Sequence, residues 1–408
     1  MITAAHHTMF MSDTGIKPPY DWSYNTVMNK RDSIAAKATR NAAPTIYDTS
    51  INLSNLGVSN VLNGYVALSQ YPGKVGVLLR FSDAPNLAEY CIIDPVACTL
   101  TRTDAKLTIS SSNLPAKINM NRDGRIFGLT RYDGGVYSFN QDGSNCMKHG
   151  TCEAFSTSRG IRLVYAPEGG FIAYGEESTT RHLYRITESN EVSLKLTWAA
   201  TNYYFYTAVA MPDYWVFTNT LSGIIRMDRN LSNGTYISSI QPASYACLAG
   251  CTLTPLTRNH LYFGMTGRPS SGKLLIGYNV DSNTAVTSNT LTGTSWNNPG
   301  AGNFCCLPTG EFFGAIKYES NSPVEYRKND WFIYNYETDS IQLLGLDHDP
   351  GTAIGYSTII LPTGQCLSTW NNIGTDGCLH FKIFDWGFNK KQVPVDLLYG
   401  PYGMNFQQ

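Results

Sequence analysis

The chain has 408 residues, 42% of them hydrophobic, enough for a sizeable core in one large or two ordinary domains. Only 15% are charged, below the roughly 25% of an average globular protein, and the net charge of −1 supplies no field that would draw it to nucleic acid or acidic lipid. No apolar run approaches the roughly 18 residues of a membrane helix, and "MITAAHHTMFMSDTGIKPP" lacks the basic-then-apolar order of a secretory signal, so neither membrane insertion nor export by that route is expected.

Residues 1–50 do not repeat and read as an N-terminal arm. "TGIKPPYDWSYNT" is extended and turn-rich, because Pro18 and Pro19 exclude helix. "NTVMNKRDSIAAKATRNAAP" predicts a helix of about four turns. It carries Val27, Met28, Ile34, Ala35 and Ala38 on one side. Lys30, Arg31, Lys37 and Arg40 make the segment basic against the single acid Asp32. The arm is either a strap over the body or a tether into a larger assembly. A tether would use Tyr20, Trp22, Lys30, Arg31, Lys37 and Arg40.

From residue 51 onward one layout recurs: a turn, a short apolar strand, a loop, an alternating aromatic strand and a polar turn. The units are anchored at Tyr65, Gly124, Gly169, Asp213, Asn259, Gly310 and Gly364. From Gly124 the steps are 45, 44, 46, 51 and 54 residues. The apolar strands are expected at Ile126–Leu129, Phe171–Tyr174, Tyr214–Phe217, Leu261–Gly264 and Phe312–Ile316. "GVYSFN", "HLYRIT", "GIIRMD", "LLIGYNV", "WFIYNYE" and "LHFKIFD" are the aromatic strands. Within a unit the period is two rather than 3.6, which excludes a helical solenoid. Four short strands per unit at this spacing describe an all-β fold, a β-propeller of seven four-stranded blades over residues 51–408. Six and eight blades are the alternatives, because the stretch before Tyr65 and "LLYGPYGMNFQQ" leave more than one way to close the ring.

The densest aromatic cluster is "TNYYFYTAVAMPDYW", Thr201–Trp215. Rings left on the surface there, from Tyr203, Tyr204, Tyr206, Tyr214 and Trp215, would stack on sugars or fill pockets in a protein partner. The competing reading is ordinary packing between blades. Ten Cys fall in local pairs: Cys91 and Cys98, Cys146 and Cys152, Cys247 and Cys251, Cys305 and Cys306, Cys366 and Cys378. They read as buried thiols rather than a disulfide set, since strand neighbours such as Cys305 and Cys306 point to opposite faces. "CMKHGTC" offers Cys146, His149 and Cys152, but a closed zinc site needs a fourth ligand at matching spacing. "GRPSSGK" lacks the spacing of a phosphate loop. The acids are scattered and the His few, so no catalytic centre, no metal and no cofactor is expected.

At "LPTGEFFGAI…NDWFIYNYETDSIQLL" the units resemble the kelch and galactose-oxidase style of propeller in layout over roughly residues 55–400. The paired Gly that ends the second kelch strand is missing, since Gly175, Gly264 and Gly314 are single. The resemblance implies a fold and carries no active site with it. Low charge, abundant Gly, Ser, Thr, Asn and Tyr, degenerate repeats and a non-repeating arm also resemble bacteriophage tail proteins of nozzle, tip or fibre-associated type. That resemblance implies a non-enzymatic virion component, made in the host cytoplasm. Its partners would be other virion proteins in a multi-copy assembly and, through exposed rings, a host-surface glycan. A cellular kelch-like scaffold and a glycan-active propeller enzyme are the rival readings, and the fold alone does not choose among them.

Overall fold

The computed structural model describes residues 24–61, 68–70, 74–109, 116–121, 124–155, 161–177, 180–199, 205–219, 224–232, 234–237, 253–257, 260–264, 275–279, 284–287, 297–301, 305–319, 328–335, 338, 340–348, 356–370, 376–388, 393, 397–398 and 404–405. Among the described residues one α-helix, α1 (Tyr24–Ala35), precedes an all-β body. The described strands pair into seven antiparallel sheets, and their arrangement is that of a β-propeller with four-stranded blades.

The first sheet holds β2 (Val58–Val61), β3 (Leu68–Gln70), β4 (Lys74–Phe81), β5 (Leu87–Asp94) and β6 (Thr99–Thr108), with β3 pairing only β4. The next is β7 (Ala116–Met120), β8 (Ile126–Thr130), β9 (Gly135–Phe139) and β10 (Met147–Thr151). It is followed by β11 (Ile161–Tyr165), β12 (Phe171–Glu177), β13 (Thr180–Ile186) and β14 (Val192–Ala199). Two more regular sheets are β15 (Phe205–Ala210) to β18 (Gly234–Ile237), with β16 (Tyr214–Asn219) and β17 (Ile224–Asp228) between them, and β19 (Leu253–Thr257) to β22 (Thr284–Thr287), with β20 (His260–Gly264) and β21 (Leu275–Asn279). The sixth combines β23 (Asn297–Ala301), β24 (Cys305–Cys306), β25 (Phe312–Glu319), β26 (Lys328–Asn335) and β27 (Ser340–His348). The expected apolar strands are β8, β12, β16, β20 and β25, and the expected aromatic strands fall on β9, β13, β17, β21 and β26 and on the last strand of the chain.

The seventh sheet closes the ring. It is built from β28 (Tyr356–Ile360), β29 (Cys366–Trp370), β30 (Cys378–Asp385) and, as its outer strand, β1 (Thr45–Asn52) from the other end of the chain. β1 and β30 pair over eight residues, from Thr45 opposite Asp385 to Asn52 opposite Cys378. The division placed between residues 50 and 51 therefore falls inside a propeller strand: the hydrogen-bonding edge of β30 draws residues 45–50 out of the arm and into the body. A second tie comes from the C-terminal tail. The backbone of Asn405 bridges Cys305, and its side-chain amide accepts from Ile360 N at 2.7 Å and donates to Ile360 O at 2.9 Å. One buried amide thus joins the inner strands β24 and β28 of adjacent sheets.

Packing explains why the strands are buried on both faces. Inner strands meet around the axis, β7 on β11, β11 on β15 and β15 on β19. Apolar slabs fill the space between neighbouring sheets. Ala116, Ile118 and Met120 of β7 join one slab with Leu78 and Tyr90, while the Asn119 amide points the other way and donates to Leu163 O at 3.1 Å. Phe127 and Leu129 form the next slab with Leu163, Phe171 and Tyr184. The turns before β8, β12, β25 and β29 use left-handed backbone at Gly124, Gly169, Gly310 and Gly364. Gly364 has φ +93°, and a Cβ there would lie 2.9 Å from Phe388, so no side chain fits.

Candidate functional site

The arm is the part of the chain for which sequence offered a functional role, and the structure docks its described portion onto the body. The helix is shorter than expected, ending at Ala35. Beyond it the chain is pulled away by contacts that a continued helix could not make: Asn41 N donates to Trp386 O at 2.9 Å, and Arg40 reaches across to Glu311. Val27 and Met28 enter the core cluster that contains Met211, Cys306, Leu307 and Phe312, and Met28 keeps only 1% of its surface. Burying each such side chain contributes about 1.5–3 kcal/mol.

Arg31 and Arg40, expected as outward-facing assembly residues, are instead turned inward. Arg31 is buried on α1, its Nη1 3.7 Å from Met28 Sδ, and its charge partly offsets the rise that burial imposes on the nearby Cys306 thiol pKa. Arg40 makes a two-pronged pair with Glu311, Nε to Oε2 at 2.5 Å and Nη2 to Oε1 at 2.9 Å. Its guanidinium also lies 5.1 Å from the Trp386 ring centroid and donates to Gln342. Apolar burial and a desolvated carboxylate outcompete an exposed role for these two cations. Lys37 remains exposed and Lys30 is half-buried, while Tyr20 and Trp22 lie outside the described residues.

The aromatic candidates divide the same way. Tyr214 and Trp215 were offered as surface rings, but they open β16 in the middle of a sheet and keep 6% and 0% of their surface. Arg226 covers the Tyr214 ring at 3.9 Å and Arg229 lies 5.2 Å from the Trp215 ring. Both rings are core, because a strand flanked on both edges and packed on both faces has no solvent side. Tyr206 lies on β15, whose side chain there is not described, and Tyr203 and Tyr204 fall outside the described residues.

The apolar groups that do reach solvent lie elsewhere: Met147 on β10, Leu194 on β14 and Leu343 on β27 along the outer strands, Leu56 after β1, and three beside the ring closure. Ile46 and Tyr47 of β1 are 43% and 50% exposed. Thr49 Oγ1 donates to Pro95 O at 3.3 Å, which brings the turn between β5 and β6 against β1. Val96, next in that turn, is 81% exposed. The rim there presents Val96 beside β1, an outer strand with one edge outside the described ladder, whose neighbours Ile46 and Tyr47 reach solvent on opposite faces.

His149 does not join Cys146 and Cys152 around a metal. It lies on β10, and its Nε2 is 2.5 Å from Ser138 Oγ on β9. Arg125 Nε donates to the same Oγ at 2.8 Å, and Phe127 stacks beside the imidazole. Burial, and then the Arg125 charge, hold the His149 pKa below the usual imidazole range. Sequence reasoning missed this group because its members lie on three different segments; only the strand register joins them. The Ser138 side chain is fully buried, so the geometry is that of a structural tie. Among the described residues no three His, Cys, Asp or Glu converge as metal ligands.

No family model and no curated protein matches the chain. Solved structures do. A catalytically inactive variant of virginiamycin B lyase from Staphylococcus aureus with quinupristin aligns with TM-score 0.54 and 11% identity, over 83% of this chain and 99% of that one. A protein from Lactobacillus plantarum aligns with TM-score 0.51 and 12% identity, over 76% and 88%. Raptor from Chaetomium thermophilum aligns with TM-score 0.50 and 11% identity, over 84% of this chain and 29% of that one. At these identities the likeness is one of fold, and together with the sheet topology it defines the chain as a β-propeller protein.

Proposed function

We propose that this protein is a non-enzymatic interaction module: a rigid propeller of seven blades, one per sheet, that docks through its rim into a multi-copy assembly. Its composition and degenerate kelch-like repeats suit the tail of a bacteriophage virion, with other virion proteins as partners. The observation that carries the reading is the group of exposed apolar side chains at the ring closure, Ile46 and Tyr47 on opposite faces of β1 and Val96 in the turn beside it. Exposed apolar side chains grouped beside an outer strand are the usual mark of a protein–protein contact. The charged residues support the same reading, since they are used as ties along the body. Arg229 pairs with Glu168 across two sheets, Arg102 with Glu89 within one, and Lys382 with Asp48 across the closure.

The test is to replace Ile46 and Tyr47 with Ser and Val96 with Asp in the full chain, then follow its association by sedimentation, alone and with co-expressed virion proteins. A folded variant that no longer joins the particle supports the reading. A variant that assembles as the parent does, or a parent chain that turns over a glycan, overturns it.

A further inference from the structure

Two of the exposed apolar groups on the rim stand beside charges of opposite sign. The first is at the ring closure. Tyr47, Thr49 and Ile51 share one face of β1, and Ile51 is buried with Val75 and Ile93 of the first sheet, so that face looks onto the seam between the last sheet and the first. Thr49 holds the turn after β5 by its bond to Pro95 O, which sets half-exposed Tyr47 and exposed Val96 along the same seam. Two carboxylates flank them. Asp94 opens the turn and accepts from Val96 N at 3.1 Å and Ala97 N at 2.9 Å. Asp385 lies opposite Thr45, one step from Tyr47 along the same face, and accepts from Gln365 Nε2 at 3.2 Å and Gly387 N at 2.9 Å. These donors are all neutral, and among the described residues neither carboxylate pairs with a cation. Asp48, on the other face of β1, is already met by Lys382.

The second group is on β14, the outer strand of the third sheet. Leu194 stands opposite Tyr184 and Leu196 opposite Leu183, so Lys195 has no counterpart in the ladder and the strand bulges there. Regular alternation would turn one of two neighbours inward, but the bulge leaves Leu194 half-exposed and Lys195 exposed side by side. β14 carries no acid, and among the described residues Lys195 pairs with no carboxylate. The bulge is therefore apolar and basic where the seam is apolar and acidic.

We propose that these two surfaces bind each other between copies of this chain: the β14 bulge of one copy sets Leu194 against Tyr47 and Val96 of the next, and its Lys195 meets Asp94 and Asp385. The proposal rests on the rim reading above and names its partner as a second copy. Burial of the apolar side chains supplies the attraction, while the opposite charges fix the register and discourage bulge-to-bulge or seam-to-seam contacts. Bulge and seam lie on different sheets, so the contact is head-to-tail. After one contact each copy still offers an unused surface, and the association closes into a ring or runs on as a filament.

Sedimentation equilibrium of the full chain tests it, with two single variants and their mixture. Leu194→Asp spoils the bulge and keeps the seam, and Val96→Asp spoils the seam and keeps the bulge. The parent is expected to self-associate as its concentration rises, and less so as salt is raised. Each variant alone should lose that association, its constant falling about tenfold or more. Mixed, the two variants hold one intact bulge and one intact seam between them, so they should form a one-to-one dimer that grows no further. A parent that stays monomeric, a Leu194→Asp chain that associates as the parent does, or a mixture that stays monomeric overturns the proposal. Circular dichroism checks the fold. Where a variant does not fold, Lys195→Glu replaces Leu194→Asp and Tyr47→Ser replaces Val96→Asp in the same mixture. A Leu194→Asp chain that joins the particle normally, while the Ile46, Tyr47 and Val96 variant does not, refutes the self-contact and leaves the rim reading standing.

Discussion

Arg40 and Glu311 are separated by 271 positions in sequence and joined by two charge-assisted hydrogen bonds, at 2.5 and 2.9 Å. Both side chains are largely buried, and the guanidinium is held over Trp386, a residue of the last sheet's end. One side chain therefore links the arm to two parts of the ring.

That geometry sets the first expected outcome. Arg40→Ala should lower the unfolding free energy by about 1.5–3 kcal/mol, the range for hydrogen bonds to charged groups, and Glu311→Ala should do much the same. The double variant should cost less than the two single changes together, because each single change strands the other charge. Urea unfolding of the four proteins measures the coupling. Strictly additive effects would mean that the pair contributes nothing as a pair.

The ring closure can be separated from the arm by truncation. A chain beginning at residue 45 keeps β1 whole and loses, of the described contacts, those of α1, the Arg40 clasp and the Asn41–Trp386 hydrogen bond. It should fold with reduced stability. A chain beginning at residue 53 removes the strand that pairs with β30 along its whole length and exposes a sheet edge. It should be aggregation-prone or unfolded by circular dichroism and size-exclusion chromatography. Two truncations of equal stability would show that β1 is dispensable.

How far the sequence foretold these features depends on the range of the signal. Turn residues and two-residue alternation are local, so Gly124, Gly169, Gly310 and Gly364 and the strands after them could be read off directly. All four glycines adopt positive φ. The apolar side of α1 was equally legible, and Val27 and Met28 are buried as their spacing implies. What could not be read is every pairing that needs the closed ring. Nothing local marks Thr45–Asn52 as a partner of β30, Asn405 as a bridge between β24 and β28, or Arg40 as the partner of Glu311. Tyr214 and Trp215 were misread for a related reason: an aromatic pair looks the same in sequence whether its sheet faces a neighbour or solvent.

Asn405 gives the third outcome. Its amide satisfies both backbone groups of Ile360 in a buried seam. Asn405→Ala would leave an N–H and a carbonyl unpaired, at about 1–3 kcal/mol each. Asn405→Asp should also destabilise, because a carboxylate accepts from Ile360 N but cannot donate to Ile360 O. Hydrogen exchange at Ile360 N reports the event directly, and unchanged protection in the alanine variant would refute the assignment.

The thiols yield a fourth outcome, in the order of their reaction. Cys98 is exposed, Cys146 and Cys378 are half-buried, and Cys91, Cys152, Cys305, Cys306 and Cys366 are buried. Burial pushes the Cys91 thiol up to about 12, with the Glu89 charge adding to it, and raises those of Cys152 and Cys305 as well. Protonated, inaccessible thiols react slowly. Among these eight described thiols, alkylation of the native protein followed by mass spectrometry should modify Cys98 first, the half-buried pair later and the buried five only on unfolding. Cys305 and Cys366, buried in one core cluster from neighbouring sheets, act on each other's thiols, Cys366 raising the Cys305 pKa further, so an oxidised sample should join those two rather than sequence neighbours. A Cys305–Cys306 bridge would contradict the strand geometry.

The Ser138–His149 contact predicts a pH dependence with a definite sign. The folded protein holds the His149 pKa below the usual imidazole value, through burial and the Arg125 charge. Between the folded and unfolded values the unfolded chain binds more protons than the folded one. Stability must therefore rise with pH across that window and fall as the pH drops from about 6.5 toward the folded value. Below the folded value both states carry the proton and this contribution levels off. His149→Gln keeps a group able to bond Ser138 Oγ but cannot titrate, so it should remove this part of the slope while leaving the rest of the curve intact. Arg125→Gln should narrow the window from its lower end and reduce the slope, because the repelling charge is gone and the folded imidazole protonates more readily while the unfolded value is unchanged. Unfolding free energies measured from pH 5 to 8 would check both variants. A His149→Gln curve parallel to the parent throughout would show that the imidazole is not held neutral by its neighbours.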